Sequence, residues 1–170
     1  QGLGQEDESV VVAHFLAYCA RMDQEALFPK GIFLVHRVNV DVSRRRLRIR
    51  GEGVGATVFR RPDAVLEKSY DRMIQLVSTG EASCEVSDLT LDGNARANPL
   101  PMLGDRYTFQ QSHCLAFVPK GDGFNAIECR DLVVQDPTAD GLSFTGNKDN
   151  VFGEIRVSGV EASTRQRSRS

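Results

Sequence analysis

Apolar side chains in the stretch CEVSDLTLDGN fall at Cys84, Val86, Leu89 and Leu91, a +2, +3, +2 spacing. A single strand gives steady alternation and a helix gives a period of about 3.6. The interrupted beat recurs at Ile127, Cys129, Leu132 and Val134, and again at Ile155, Val157, Val160 and Ala162. Two polar or small residues fill each +3 step: Ser87-Asp88, Arg130-Asp131 and Ser158-Gly159. A shorter signature lies between the units, where Leu115 and Phe117 are matched 27 residues later by Leu142 and Phe144. Repetition of one interrupted pattern predicts a repeat architecture in which neighbouring units bury each other's apolar positions. The +3 step reads as a tight corner between two short strands. Successive windings then stack about 4.8 Å apart in parallel, with ladders such as Cys84–Ile127–Ile155 and Val86–Cys129–Val157. A β-sandwich is the competing architecture, but its strands alternate along their length and are joined by hairpins. The first two main units are 43 residues apart and the next two 28, so an inserted loop is expected within DGNARANPLPMLGDRYTFQQ.

Upstream, DESVVVAHFLAYCARM (7–22) has the periodicity of an amphipathic helix, with Asp7 or Ser9 as cap and an apolar face of Val10, Val11, His14, Phe15, Tyr18 and Cys19. Strand-like runs follow. ALFPKGIFLV holds a Pro-Lys-Gly turn, VNVDV alternates at Val38, Val40 and Val42, and LRIRG alternates at Leu47 and Ile49. The glycines of GEGVGATVF interrupt both helix and long strand. A short helix could occupy 63–76. The division expected is 1–24 for the N-terminal segment and cap helix, 25–165 for the stacked strands and 166–170 for a tail.

With 170 residues the chain is long enough for one domain with a core. Its net charge of -2 and pI near 5.9 argue against nucleic acid as a partner. The arginines at 44–50 and 165–169 read as solvated faces or tail. No apolar run approaches the roughly 20 residues that span a bilayer, so no membrane partner is expected. No signal peptide opens the chain. It begins at Gln1 rather than Met, which leaves export open. Cys19, Cys84, Cys114 and Cys129 form no C-x-x-C pair, so they read as small buried apolar residues, with a disulfide open if the protein is secreted. No metal-ligand spacing is present.

Several of these stretches resemble one family. RGEGVGATVF is similar to the first-winding signature of pectate-lyase-like, right-handed parallel β-helix proteins, and the helix with ALFPKGIFLV resembles that family's N-terminal cap and entering strand. DLTLDGN and ADGLSFTGNKDN resemble its coils. The resemblance covers roughly residues 8 to 165. It implies a mostly β fold, a right-handed parallel β-helix (a single-stranded solenoid) with an N-terminal cap helix. The family usually has more coils and begins with a Gly-Asp-Gly and paired-Asp stretch, where this chain has only GQEDES, so a fragment is expected. The family also implies an extracellular or cell-surface protein that acts on an acidic polysaccharide as a lyase, hydrolase or epimerase. The alternative it leaves is a non-catalytic polysaccharide-binding, surface or tailspike-like module, or an inactive fragment. Self-association into a homo-oligomer stays open.

Sugar hydrolysis needs an acid and a base; uronate elimination needs a base and a cation that neutralises the carboxylate, supplied by Arg, Lys or, in a lyase, calcium. The acidic candidates are Asp88, Asp92, Asp131, Asp136, Asp140 and Asp149. Asp88 and Asp131 hold equivalent positions in the repeat, where they cap a corner or share a cation. TADGLSF resembles the Asn-Thr-Asp-Gly-Ile motif of polygalacturonase-like hydrolases, and Asp140 matches its Asp, although Thr138 and Ala139 replace Asn and Thr. The tandem Asp, Gly-His-Gly and Arg-Ile-Lys motifs of those enzymes do not occur. The resemblance therefore makes Asp140 the leading catalytic candidate, with Asp92 or Asp136 as partner. Lys120, Arg165 (in an Arg-Gln pair like that of related proteins) and His113 are the substrate-binding candidates. The absence of Trp counts against tight stacking of neutral sugars and leaves a charged polyuronate less affected.

Overall fold

The computed structural model describes residues 3–65, 72–98, 102–103, 106–107, 112–120, 123–146 and 152–163. Strand β1 (Leu3–Asp7) leads into helix α1 (Ser9–Met22). Five strands follow: β2 (Glu25–Phe28), β3 (Gly31–Leu34), β4 (Val38–Asp41), β5 (Arg46–Gly51) and β6 (Thr57–Arg60). The chain continues through β7 (Ile74–Ser78), β8 (Ala82–Asp92), β9 (Met102–Leu103) and β10 (Arg106–Tyr107). It closes with β11 (Leu115–Pro119), β12 (Phe124–Gln135), β13 (Leu142–Phe144) and β14 (Phe152–Ser163). The short helix expected within 63–76 falls partly on residues outside the described set, and Ile74 onward is strand.

The strands form two parallel sheets. One has the order β1-β3-β6-β8-β12-β14, with β2 and β5 joined to it through β8; the other has the order β13-β11-β7-β4. An antiparallel pair, β9 with β10, lies within the expected inserted loop. The columns read from the sequence are present in register: Cys84 pairs with Ile127 and Ile127 with Ile155, while Leu115 and Phe117 pair with Leu142 and Phe144.

The expected architecture is corrected, however. The strands make two parallel sheets with one helix, not a right-handed parallel β-helix closed as a single-stranded solenoid. The reason lies in the +3 step. Read as a corner, it should end one strand and send the chain to another face. Instead Asp88, Asp131 and Gly159 adopt left-handed backbone with φ of 57°, 51° and 59°. Pairing continues on both sides of them, Ser87 with Arg130 and Leu89 with Leu132. One left-handed residue switches the inward parity while the strand stays in the same sheet. Asp tolerates this conformation better than most residues, and Gly adopts it freely. In the preceding layer β5 and β6 together face β8, and the glycine-rich turn between them lets the chain pass closely: a Cβ on Gly51 would stand 2.3 Å from the Asp88 carbonyl oxygen.

Cys84, Val86, Leu89, Leu91, Ile127, Cys129, Leu132 and Val134 are buried in the core. Phe28 makes edge contacts with Phe15, Phe33 and Phe59, with ring centroids 4.8–5.4 Å apart. Phe117 stacks on Phe144 at 5.3 Å and Phe124 on Phe152 at 5.9 Å, as in-register columns require. All four cysteines are free and buried. Burial pushes the thiols of Cys114 and Cys129 up to about 12, which leaves them unreactive.

The helix is also corrected in its orientation. It packs over β2, β4 and β5 through Val12, Leu16, Cys19 and Ala20, with Ala13 and Ala17 half-buried beside them. Of the face expected inside, Val10, Val11, His14, Phe15 and Tyr18 are exposed and only Cys19 is buried. Val12, Leu16, Cys19 and Ala20 form the stripe that meets the strands, and Phe15 at its border touches Phe28. The Asp7 carboxylate accepts the Ser9 N–H at 2.9 Å, and the Ser9 hydroxyl accepts the His36 N–H at 2.6 Å.

The left-handed step makes a testable demand at Asp131, whose side chain is largely exposed. Asp131→Gly should stay within about 1 kcal/mol of the parent in urea unfolding, because its loose pair with Arg130 is of the exposed kind. Asp131→Val should cost about 1–2 kcal/mol, since a β-branched residue resists left-handed backbone.

Candidate functional site

Polar side chains converge where the chain enters the four-stranded sheet. Successive layers meet there through backbone bonds: Arg37 N–H to Arg72 O at 3.2 Å, Met73 N–H to His113 O at 2.9 Å, and Cys114 N–H to Asp140 O at 3.2 Å. Arg72, His113 and Asp140 therefore occupy adjacent layers of one column, each about 4.8 Å from the next, and Arg37 lies in the layer before Arg72, one position past it in register. Arg37 and Arg72, with Val38, Asn39 and Gln75, line a cavity of about 140 Å³. Asn39 and Gln75 are register partners on β4 and β7, and Arg72 donates to the Gln75 side-chain oxygen.

His113 is nearly fully buried, and its Nδ1 lies 3.4 Å from Oδ2 of Asp140, whose side chain is 73% exposed. That distance is longer than a good hydrogen bond. Burial lowers the His113 pKa; Asp140 opposes this, and the cations of Arg72 and Arg61 add to it. The imidazole is therefore neutral at pH 7. Arg61 anchors the column from inside. It is completely buried, donates to the carbonyl oxygens of Ser112 at 3.3 Å and His113 at 3.2 Å, and bonds the Thr138 hydroxyl, which itself donates to Ser112 O at 2.9 Å. One guanidinium thus ties the end of β6 to the segments carrying His113 and Asp140.

Of the residues singled out in the sequence, His113 and Asp140 are brought together. Asp92 ends β8 and is buried; its Oδ1 accepts the Asn94 N–H at 2.9 Å and its Oδ2 lies 3.5 Å from Arg60 Nε. Asp136 lies one residue beyond the register partner of Asp92, with left-handed backbone; its N–H donates to Ser163 O and its C=O accepts from Ala95 N–H. Both aspartates serve the stacked turns after β8 and β12. Lys120 is exposed and follows β11, whereas His113 precedes it, so strand rise separates them by about 20 Å. The Lys120 charge acts on Asp41, whose carboxyl is held low mainly by its hydrogen bonds with Ser43. Arg165 and Asp149 lie outside the described residues.

The sequence reading missed Arg37, Arg72 and Arg61. It also missed a lattice of charges on the outer face of the long-stranded sheet. Glu25, Arg48, Glu85, Glu128 and Arg156 form one in-register row. Arg50 bonds Glu25 at 2.8 Å, which lowers the Glu25 pKa. Arg130 reaches Glu85 at 3.1 Å, Asp88 at 3.7 Å and Asp131 at 3.6 Å. The cation shared by the two equivalent aspartates is thus a guanidinium of this chain. Acids and arginines on this face largely neutralise one another. Among the described residues no group of three or more His, Cys, Asp or Glu side chains could hold a metal ion, and no helix is long and apolar enough to cross a membrane. Comparison with family models, curated proteins and solved structures finds no match for the chain.

Two measurements test the site's electrostatics. A histidine whose native pKa lies below its unfolded value of about 6.5 adds stability that is complete above that pH and is lost as pH falls toward the native value. The His113→Gln variant should therefore show a shallower fall in unfolding free energy below pH ~6.5 than the parent. Arg61→Ala empties a fully buried position and removes the guanidinium that links Thr138 to the Ser112 and His113 carbonyls, each of which keeps one other donor, and should cost about 2–5 kcal/mol in urea unfolding.

Proposed function

We propose that the chain acts on an acidic polysaccharide by base-driven elimination, with Asp140 as the base. The observation that supports this most is the solvent-exposed Asp140 carboxylate beside a neutral histidine, two layers from an arginine-lined cavity. Asp140 takes the proton from the carbon next to a uronate carboxylate. The C–H electron pair becomes a carbon–carbon double bond as the neighbouring glycosidic C–O bond breaks, and the departing oxygen takes a proton from water. Arg72 and Arg37 hold the carboxylate and offset the charge that builds on it in the transition state. Backbone layers put Arg72 about 10 Å from Asp140, a span that one sugar and a long arginine side chain can bridge. Elimination needs one reachable base and a cation, which is what this column offers. The likeness of TADGLSF to a sugar-hydrolase motif also supports a role for Asp140 in carbohydrate chemistry. A second reading, polysaccharide binding without bond cleavage, is favoured by the deep burial of His113.

The assay is incubation with uronate polymers, followed by the ultraviolet absorbance of unsaturated uronate ends. The parent should produce it. Asp140→Asn should lower the rate by about 10²-fold or more with the unfolding midpoint unchanged. Absence of product from every uronate polymer, or an undiminished rate in Asp140→Asn, would overturn the assignment; retained binding without product would establish the second reading.

A further inference from the structure

Strand β14 is an edge. It pairs with β12 on one side, and among the described residues no strand lies on its other side. Natural edges of this length are usually protected by lysine, proline or an overlying element. The sequence of β14, FGEIRVSGVEAS, contains neither lysine nor proline. Its inward column is unfinished: Ile155, Val157, Val160 and Ala162 stack on the buried Ile127, Cys129, Leu132 and Val134, yet Ile155 and Val157 remain 41% and 49% exposed. At the opposite end of the molecule α1 covers the strands.

The strand is self-complementary about its left-handed step. Reversal about the point between Ser158 and Gly159 sets Val157 opposite Val160 and Ile155 opposite Ala162, so every inward apolar position meets another. The same reversal sets Arg156 opposite Glu161. We infer that a second copy of this chain docks on this edge, its β14 antiparallel to the first across a two-fold axis between Ser158 and Gly159. An isologous contact of this kind uses one patch on both copies. The axis carries each arm of the strand onto the other, so each left-handed Gly159 faces the partner's Ser158 beside the axis and both inward columns continue into each other. Two symmetry-related Arg156–Glu161 pairs flank the axis, and Arg156 exchanges its present partner, Glu154 at 2.8 Å, for one in the other copy. The dimer buries the exposed ends of the core and pairs the edge N–H and C=O groups that no described strand covers. This inference is independent of the proposed chemistry at Asp140.

Sedimentation velocity of the intact chain over a dilution series tests it. The parent should sediment as a dimer that dissociates on dilution. Glu161→Arg sets arginine against arginine at both pairs and should weaken the dimer by about tenfold or more. Its register neighbour is the uncharged Val133, so folding, checked by circular dichroism, should be kept. Arg156→Glu combined with Glu161→Arg restores opposite charges and should restore dimerisation. A parent that stays monomeric throughout the series, as when more of the same chain covers the edge, would overturn the inference. So would a Glu161→Arg variant that dimerises like the parent, or a double variant no better than Glu161→Arg alone.

Discussion

The structure depends on one backbone constraint: a left-handed residue, repeated at Asp88, Asp131 and Gly159, within strands that keep their hydrogen bonds on both sides. Each such residue costs conformational energy unless it is Gly, or an Asp that tolerates the geometry. In return, the inward-facing set changes parity without a break in the ladder, and a strand of 11 or 12 residues serves as a single element. Stacking makes the constraint mutual. Gly51 must lack a Cβ because the Asp88 carbonyl sits over it, and a Cβ on Gly159 would meet the Asp131 carboxylate at 2.5 Å.

In-register stacking also explains where polar chemistry collects. Residues on neighbouring layers are brought within a few ångströms whatever their separation in sequence. Arg37, Arg72, His113 and Asp140 span more than a hundred positions, yet backbone bonds link their layers in sequence. The same geometry builds the charge lattice on the long sheet, where acids and arginines pair across layers. The two regions differ in use. The lattice is internally neutralised, while the entry column keeps an exposed carboxylate next to a buried imidazole and a lined cavity.

Much of the packing was legible because inward apolar positions repeat. The columns through Cys84, Ile127 and Ile155, and through Leu115 and Leu142, follow from spacing alone. The two-sheet arrangement was not, because Asp88 and Asp131 read equally well as a corner and as a left-handed residue inside a strand; only backbone geometry separates them. The helix was misread because periodicity favours the bulkier stripe, whereas packing chose the alanine-bearing one. At the site, Asp140 stood out by motif and His113 by residue type, but their contact required knowing which layers adjoin. Arg61 gave no signal, since an arginine is ordinarily read as surface, and burial beneath Thr138 and Ser112 is a tertiary fact.

The left-handed step is tested most directly by backbone NMR of the isotope-labelled chain. The account predicts interstrand contacts linking Ser87 to Arg130 and, beyond the step, Leu89 to Leu132, with scalar couplings at Asp88 and Asp131 that report positive φ. Contacts that stop at the step, or negative φ at both aspartates, would contradict it.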